Sequence, residues 1–350
     1  MLNVATIGLG KMGKLHMTNC FYIDGVRVVA VADQSKSALN KAKSMGVKHL
    51  YTDYHEMLRD HSLGLNAVII CLPNFLHLDS IRLALESGLD VFVEKPMANT
   101  SAECREIVSL VRKNERRLMI GHSSRFVDAI EEMKNALDKG FLGNLETLTL
   151  EEVINGPFAH GSVPMPVPDW WFDREKVGGG VLIDLGYHLI DLFRFFTGGE
   201  CKVLFSCLDH KFNLPVEDGA IAVLEANGSS IKGIVNVGWY QKSLFPRFNF
   251  RTIIHGSADF MSSDELVPRN VYLYAAKEGA KNLLRRAVRK RIKPLSYTYF
   301  ATAYYKELQR FFECITQNQE PPVTCEDGLK TIEVIEEAYR SSVGTISRGD

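Results

Sequence analysis

The stretch Gly178–Phe193 reads GGGVLIDLGYHLIDLF. Asp184, His188 and Asp191 stand four and three apart in an otherwise apolar run. At 3.6 residues per turn, this spacing puts the three ionisable groups on one stripe of a helix. Burying such groups is costly unless they are paired or face a polar cavity. Two readings fit. One is a satisfied core histidine with a capping aspartate. The other is a stripe lining a cleft, with His188 as a proton acceptor whose ordinary pKa suits work near neutrality. On the second reading, Gly178–Gly180 let the backbone pass close to a ligand.

A second candidate lies upstream in Glu94-Lys95-Pro96, which ends a short apolar run. A lysine at the carboxyl edge of a strand is placed to hydrogen-bond a substrate hydroxyl and favour its ionised form. A solvated loop lysine fits that position alone equally well. Ile70–His77 (ICLPNFLH) likewise puts Asn74 just beyond a carboxyl strand end, where open α/β sheets bind ligands.

Gly8-Leu9-Gly10-Lys11-Met12-Gly13 fits G-x-G-x-x-G, follows the apolar run Asn3–Ile7 and leads into a helical pattern. In that context Gly8 makes a tight turn, Gly10 leaves a bare backbone for a pyrophosphate, and Gly13 allows close helix–strand packing. Asp33 ends the next apolar run, where a carboxylate accepts hydrogen bonds from an adenosine ribose. A carboxylate there repels a 2′-phosphate, which favours NAD; Lys36 is near enough to keep NADP open.

The elements that must position these groups follow from patterning. Asn3–Ile7, Val26–Ala32, Ala67–Leu72, Asp90–Val93 and Leu118–Ile120 are short continuous apolar runs, as in strands buried on both faces of a parallel sheet. Helical segments such as Ser35–Ser44 and Asn74–Ser87 alternate with them, predicting a doubly wound α/β domain over residues 1–122. Residues 123–350 read as a second, α+β domain. Val127–Lys139 is helical. Leu145–Ile154, Lys202–Asp209, Gly219–Ala226, Ser230–Trp239, Asn249–His255 and Val271–Tyr274 read as strands of one large open sheet. Short links such as Asn227-Gly228-Ser229 make that sheet mainly antiparallel. Tyr304–Thr316 and Glu326–Ser341 are helical, and the C-terminal helix is able to pack back on the first domain.

Composition narrows the function classes. The chain has 350 residues, 46% hydrophobic and 24% charged, with a formal net charge of -1. It therefore carries no global field for nucleic acid or acidic membranes. Its seven cysteines form no C-x-x-C pair, so neither a metal site nor a disulfide framework is indicated. No leader pattern or spanning run is present, and a cytoplasmic protein with reduced thiols is expected.

Taken together, the pieces resemble the Gfo/Idh/MocA family of oxidoreductases (glucose–fructose oxidoreductase, inositol dehydrogenase and relatives). The likeness rests on Glu94–Pro96 and on GGG-x-x-x-D-x-G-x-H-x-x-D at Gly178–Asp191. It extends to Gly8–Gly13, Pro73-Asn74 with His77, Arg125-Phe126, Gly140–Leu145, Trp170–Asp173 and Glu326-Asp327-Gly328. The resemblance implies an N-terminal Rossmann domain and a C-terminal domain whose open sheet forms a dimer or tetramer interface. It implies hydride transfer between a nicotinamide and a secondary alcohol of a sugar or cyclic polyol. Gly8, Gly10, Lys11, Met12, Gly13, Asp33, Leu72, Pro73, Asn74, His77, Glu94 and Lys95 would line the cofactor. Lys95 would touch the reacting hydroxyl and His188 would be the acid/base, the two meeting across the domain cleft. Asp184 would hold substrate or orient the histidine, and Asp191 would stand behind it. Some members of the family are non-catalytic regulators, which have no need of the Lys95, Asp184 and His188 set.

Substrate clues are weaker. Trp170 and Trp171 stack well on sugar faces, although two adjacent indoles point apart and one is expected to pack internally. Arg125 suits an anionic group or a structural ion pair. His160-Gly161-Ser162 lies in the same Pro/Gly-rich stretch as the tryptophans. Arg285–Lys293 carries six basic residues; it reads as a solvated helix face, as a contact for an acidic partner, or as the flank of a nucleotide-sugar pyrophosphate site. The latter, with the resemblance, raises oxidation at C3 of a UDP-N-acetylhexosamine beside inositol or free-aldose oxidation.

Overall fold

The computed structural model describes residues 1–156, 168–239, 249–268, 270–290, 292 and 301–343. In chain order the first elements are β1 (Leu2–Ile7), α1 (Lys11–Cys20), β2 (Val26–Ala32), α2 (Lys36–Ser44), β3 (His49–Tyr51) and α3 (Tyr54–Arg59). Then come β4 (Ala67–Ile70), α4 (His77–Glu86), β5 (Asp90–Glu94), α5 (Ser101–Asn114) and β6 (Leu118–Gly121). These are followed by α6 (Asp128–Asp138), β7 (Leu145–Val153), α7 (Arg174–Val177), a π-helical turn at Leu182–Gly186, α8 (Tyr187–Thr197), β8 (Cys201–Asp209), β9 (Gly219–Ala226) and β10 (Lys232–Gly238). The last are β11 (Asn249–Gly256), β12 (Phe260–Ser262), α9 (Ser263–Leu266), α10 (Val271–Ala287), α11 (Ala301–Gln317), α12 (Cys325–Ser341) and β13 (Ser342–Val343).

The chain divides into two compact units. The first comprises Met1–Ala98, Ala102–Val127 and Pro268–Gly328; the second comprises Asn99–Ser101, Asp128–Val267 and Leu329–Asp350. The first unit is therefore not a simple N-terminal block, because the segment bearing α10 and α11 belongs to it.

In the first unit six parallel strands lie in the order β3-β2-β1-β4-β5-β6. Val4, Ala5, Ile7, Val68, Ile69, Ile70, Val91, Phe92 and Val93 are all at most 1% exposed. The strands are thus covered on both faces, and their sequences are apolar throughout rather than alternating. This order reverses direction between β1 and β4, and the carboxyl ends there form the crevice of a doubly wound fold. α11 packs on α1 and on the segment after β6.

In the second unit a seven-stranded sheet runs β12-β11-β7-β10-β9-β8-β13. Four of its six pairings are antiparallel; β7 with β10, and β8 with β13, are parallel. β9 and β10 alternate inward Ala220, Ala222, Leu224, Val235 and Val237 with outward Ile221, Val223 and Ile234, so one face is packed and the other open. α8 lies on the packed face close enough that a Cβ added at Gly233 would sit 2.6 Å from the Phe193 ring.

One expectation is overturned: Val271–Tyr274 is not a strand but the first turn of α10. Asn270 supplies the reason. Its side-chain oxygen accepts the backbone N–H of Leu273 at 3.0 Å, a helix N-cap that outweighs the strand preference of Val-Tyr-Leu-Tyr. The edge strands β3, β12 and β13 are two or three residues long and leave too little pattern to read.

Candidate functional site

The glycine loop after β1 is built as its spacing requires. Gly8 has φ +82°, a left-handed conformation that disfavours a side chain, and a Cβ there would overlap the Cys71 carbonyl oxygen. A Cβ at Gly13 would overlap the carbonyl oxygen of Gly8, so α1 presses directly on the turn. A Cβ at Gly10, by contrast, would meet nothing within 4 Å. α1 opens at Gly10 without any side-chain cap or first-turn acid, leaving its leading N–H groups for an anion. Lys11 is exposed and Met12 half-buried beside them.

Asp33 follows β2 and is tied to the same loop. Its Oδ2 accepts the Leu9 N–H at 2.5 Å, and its Oδ1 accepts the Ser35 N–H at 2.7 Å. A carboxylate offers about four lone-pair directions, so two remain for hydroxyl donors. Open space at Gly10, an uncapped helix start and a half-exposed carboxylate fit a dinucleotide. The loop amides would hold its phosphates and Asp33 its adenosine ribose.

Leu72, Pro73 and Asn74 form the turn after β4, all half-buried, and Glu94 ends β5 with Lys95 directly after it. His77 joins the two turns from beneath. It is buried, with Nε2 3.0 Å from the Leu72 carbonyl oxygen and Nδ1 2.9 Å from that of Pro96. Burial pulls its pKa below the ordinary value, so the neutral ring donates to one carbonyl at a time. The Lys95–Pro96 peptide is cis.

Glu94 is braced as well. Its Oε1 lies 2.5 Å from His16 Nε2 of α1, and its Oε2 accepts the Lys95 N–H at 3.2 Å. Glu307 of α11 offers a carboxylate oxygen to the same cluster. Burial and the neighbouring Glu94 charge push Glu307 well above the usual carboxylate range, which favours its protonated form. Sequence reasoning missed His16 and Glu307; neither belongs to a local motif.

Arg125, after β6, is anchored within the unit. Its Nη1 donates to the Pro322 carbonyl oxygen at 3.1 Å, and Nη2 lies 3.4 Å from Asp327 Oδ1. Asp327 itself caps α12, where Oδ2 accepts the Thr324 N–H at 3.0 Å and Thr324 Oγ1 accepts the Asp327 N–H at 3.2 Å.

In the second unit, every residue from Val181 to Arg194 is buried except Asp184 and His188. Asp184 lies in the π-helical turn and His188 at the second residue of α8, so the stripe does not keep a uniform 3.6-residue repeat. π turns recur at functional sites because the widened turn re-aims side chains. Asp191 is buried on the same helix. Trp170 and Trp171 are both half-buried, with ring centroids 5.6 Å apart and planes at 43°.

The three glycines before this helix serve a different purpose from the one expected. A Cβ at Gly179 would overlap the Tyr339 hydroxyl, and one at Gly180 the Glu217 carbonyl oxygen. The close approach is to the protein's own Tyr339 and Glu217. Gly178, at φ +84°, ends α7 in the left-handed conformation.

Of the basic run, Arg286, Arg289 and Lys290 are exposed, whereas Arg291 and Lys293 lie outside the described residues, as does His160-Gly161-Ser162. All seven cysteines are free thiols. Among the described residues no helix is long and apolar enough to cross a membrane.

The glycine loop, the β1/β4 crevice and Asp33 define a dinucleotide-binding Rossmann protein. Comparison with known proteins narrows that class. Residues 2–122 match the family model described as "Oxidoreductase family, NAD-binding Rossmann fold" (GFO_IDH_MocA), and residues 134–345 match the companion C-terminal alpha/beta domain. The chain belongs to the Gfo/Idh/MocA family of NAD-binding oxidoreductases. It is similar to the myo-inositol 2-dehydrogenase of Thermotoga maritima, 24% identical over 93% of this chain and 92% of that one. The NAD(+)-dependent scyllo-inositol 2-dehydrogenase of Bacillus subtilis is 25% identical over 94% and 91%. The crystal structure of scyllo-inositol dehydrogenase from Lactobacillus casei with bound NAD(H) and scyllo-inositol superposes with a TM-score of 0.77 at 22% identity. It covers 98% of this chain and 97% of that one.

Proposed function

We propose that this oxidoreductase exchanges a hydride between NAD and a secondary hydroxyl of a cyclic polyol or sugar, with His188 as its acid/base. The observation that carries the reading is the burial pattern of the helix: Asp184 and His188 alone reach the surface from an otherwise buried segment. The relatives named for inositol oxidation span nearly the whole chain and support a polyol as the first substrate class to test.

NAD, when bound, supplies the hydride acceptor. The Gly8–Gly13 amides and Asp33 hold it, and Leu72, Pro73, Asn74 and Glu94 line the strand ends beside it, with His77 bracing their turns. Lys95 donates to the substrate oxygen and favours its alkoxide character. His188 takes the hydroxyl proton as the C=O bond forms, and returns it in the reverse direction. Asp184 holds a neighbouring hydroxyl or orients the imidazole; Asp191 supports from behind. Trp170, Trp171 and Arg125 complete the substrate assignment, Arg125 through its anchored guanidinium. In this account the protein is a cytoplasmic homo-oligomer joined through the open sheet. There Phe205, Val223 and Ile234 line up across β8, β9 and β10, with Phe205 44% and Ile234 47% exposed.

The test is NAD and NADP reduction against myo- and scyllo-inositol, free aldoses and UDP-sugars. Turnover of an inositol or aldose supports the reading; no turnover of any of these alcohols contradicts it. The exposed Arg286, Arg289 and Lys290 favour a second reading, a UDP-N-acetylhexosamine substrate. That reading expects UDP, but not free sugars, to protect the protein against thermal unfolding.

A further inference from the structure

Glu217 lies in the segment entering β9, is 3% exposed, and does not belong to any motif discussed above. One of its oxygens, Oε1, accepts three hydrogen bonds: from the Gly180 N–H at 2.9 Å, the Leu182 N–H at 3.1 Å and the Tyr339 hydroxyl at 2.7 Å. Its backbone carbonyl takes the intervening Val181 N–H at 3.0 Å. Three consecutive amides at the start of the helix carrying Asp184 and His188 thus end on one residue. These are leading helix amides with no partner in their own helix, so a carboxylate here satisfies donors and complements the helix dipole together.

Tyr339, from α12, completes the arrangement. Burial and the Glu217 charge push its phenol well above the ordinary value, so it keeps its proton and donates it. The Arg174 guanidinium lies over its ring, 5.2 Å from the centroid. α12 is fixed in turn through Glu336, whose two oxygens accept the Ser101 N–H at 2.7 Å and hydroxyl at 2.8 Å. Gly179 and Gly180 are glycines because Tyr339 and Glu217 occupy the space of their side chains.

We propose that Glu217, backed by Tyr339, is the positioning residue that seats the π turn and α8, setting where Asp184 and His188 stand. This deepens the function proposed above and rests on it for the roles of those two groups. Glu217 touches neither substrate nor cofactor; it acts through the backbone of residues 180–182. An acceptor oxygen, rather than a charge as such, is what the three donors require, so glutamine is the conservative replacement and alanine the disruptive one.

The experiment compares wild type with Glu217→Ala, Glu217→Gln and Tyr339→Phe by amide hydrogen exchange, NAD binding, and turnover of myo-inositol with NAD. In Glu217→Ala the amides of residues 180–188 exchange at least about tenfold faster. Its kcat falls at least about tenfold while the NAD Kd stays within about twofold. Glu217→Gln restores both readouts to within about threefold of wild type. Tyr339→Phe removes one donor and keeps the ring; it moves exchange and kcat the same way by about threefold, and decides the matter if the alanine variant does not fold. Unchanged exchange in Glu217→Ala or, failing that variant, in Tyr339→Phe overturns the proposal, as does a glutamine variant as impaired as alanine. The exchange arm needs no substrate. If wild type turns over none of the inositols, aldoses or UDP-sugars, the proposed function falls while exchange and its rescue by glutamine still judge Glu217.

Discussion

Asp33 Oδ2 accepts the backbone N–H of Leu9 at 2.5 Å, so the carboxylate that follows β2 also holds the glycine loop that follows β1. Asp33→Ala therefore removes two things, a ribose partner and a loop brace. The expected result is an NAD Kd raised at least about tenfold, equivalent to about 1.4 kcal/mol. The preference for NAD over NADP narrows as well, since the charge that repels a 2′-phosphate is gone. Calorimetric titration with both nucleotides checks it, and unchanged affinity for both removes Asp33 from the cofactor site.

Gly10 and Gly13 separate binding from folding. Gly10→Ala puts a methyl group into open space at a backbone φ of -63°, so the melting temperature stays near wild type while NAD binding weakens. Gly13→Ala drives a methyl into the Gly8 carbonyl, backbone against backbone, and lowers stability by about 2 kcal/mol or more. Thermal unfolding beside NAD titration distinguishes the two. Equal losses of stability in both variants contradict the assignment of Gly10 to ligand approach.

Glu307 gives a pH dependence with a definite sign. Its carboxyl is held above the usual range by burial and by Glu94, so the folded state keeps a proton that the unfolded state releases near the ordinary glutamate value of 4.5. Stability from this group is complete at acid pH. It falls as pH rises past that value, by up to about 1.4 kcal/mol per pH unit for one proton, until the folded group also ionises. Glu307→Gln is neutral throughout. Its melting temperature relative to wild type should climb as pH rises above 4.5, and a pH-independent difference would show that the Glu307 carboxyl is not held above its ordinary range.

On the open sheet, Ile234→Asp places a charge in the row that Phe205, Val223 and Ile234 form across three strands. If the open sheet joins subunits as proposed, light scattering after gel filtration should show a lower mass than wild type with the fold retained, since Ile234 is 47% exposed. An unaltered mass would contradict assembly through this face.

Much of this was legible in the sequence where the determining contacts are local. The glycine loop, Asp33 and the strand ends at Asn74 and Lys95 follow from patterns a few residues long, and the turn at Gly8 and the close packing at Gly13 are those their spacing implies. The triple glycine was legible as a special backbone but not in its cause. Glu217 lies 37 residues from Gly180, and Tyr339 122 further from Glu217. His16, Glu94 and Glu307 come together only because α11 returns to the first unit. The fate of Val271–Tyr274 turned on one side chain, Asn270, whose cap outweighed the preferences of the residues it precedes.

In the proposed reaction His188 performs the proton transfer. His188→Ala, assayed with the alcohol that gives the highest wild-type turnover and titrated with NAD, tests it directly. The expected outcome is NAD affinity within about twofold of wild type and kcat reduced by about 100-fold or more, the size of a lost general base. A variant with wild-type kcat would contradict it.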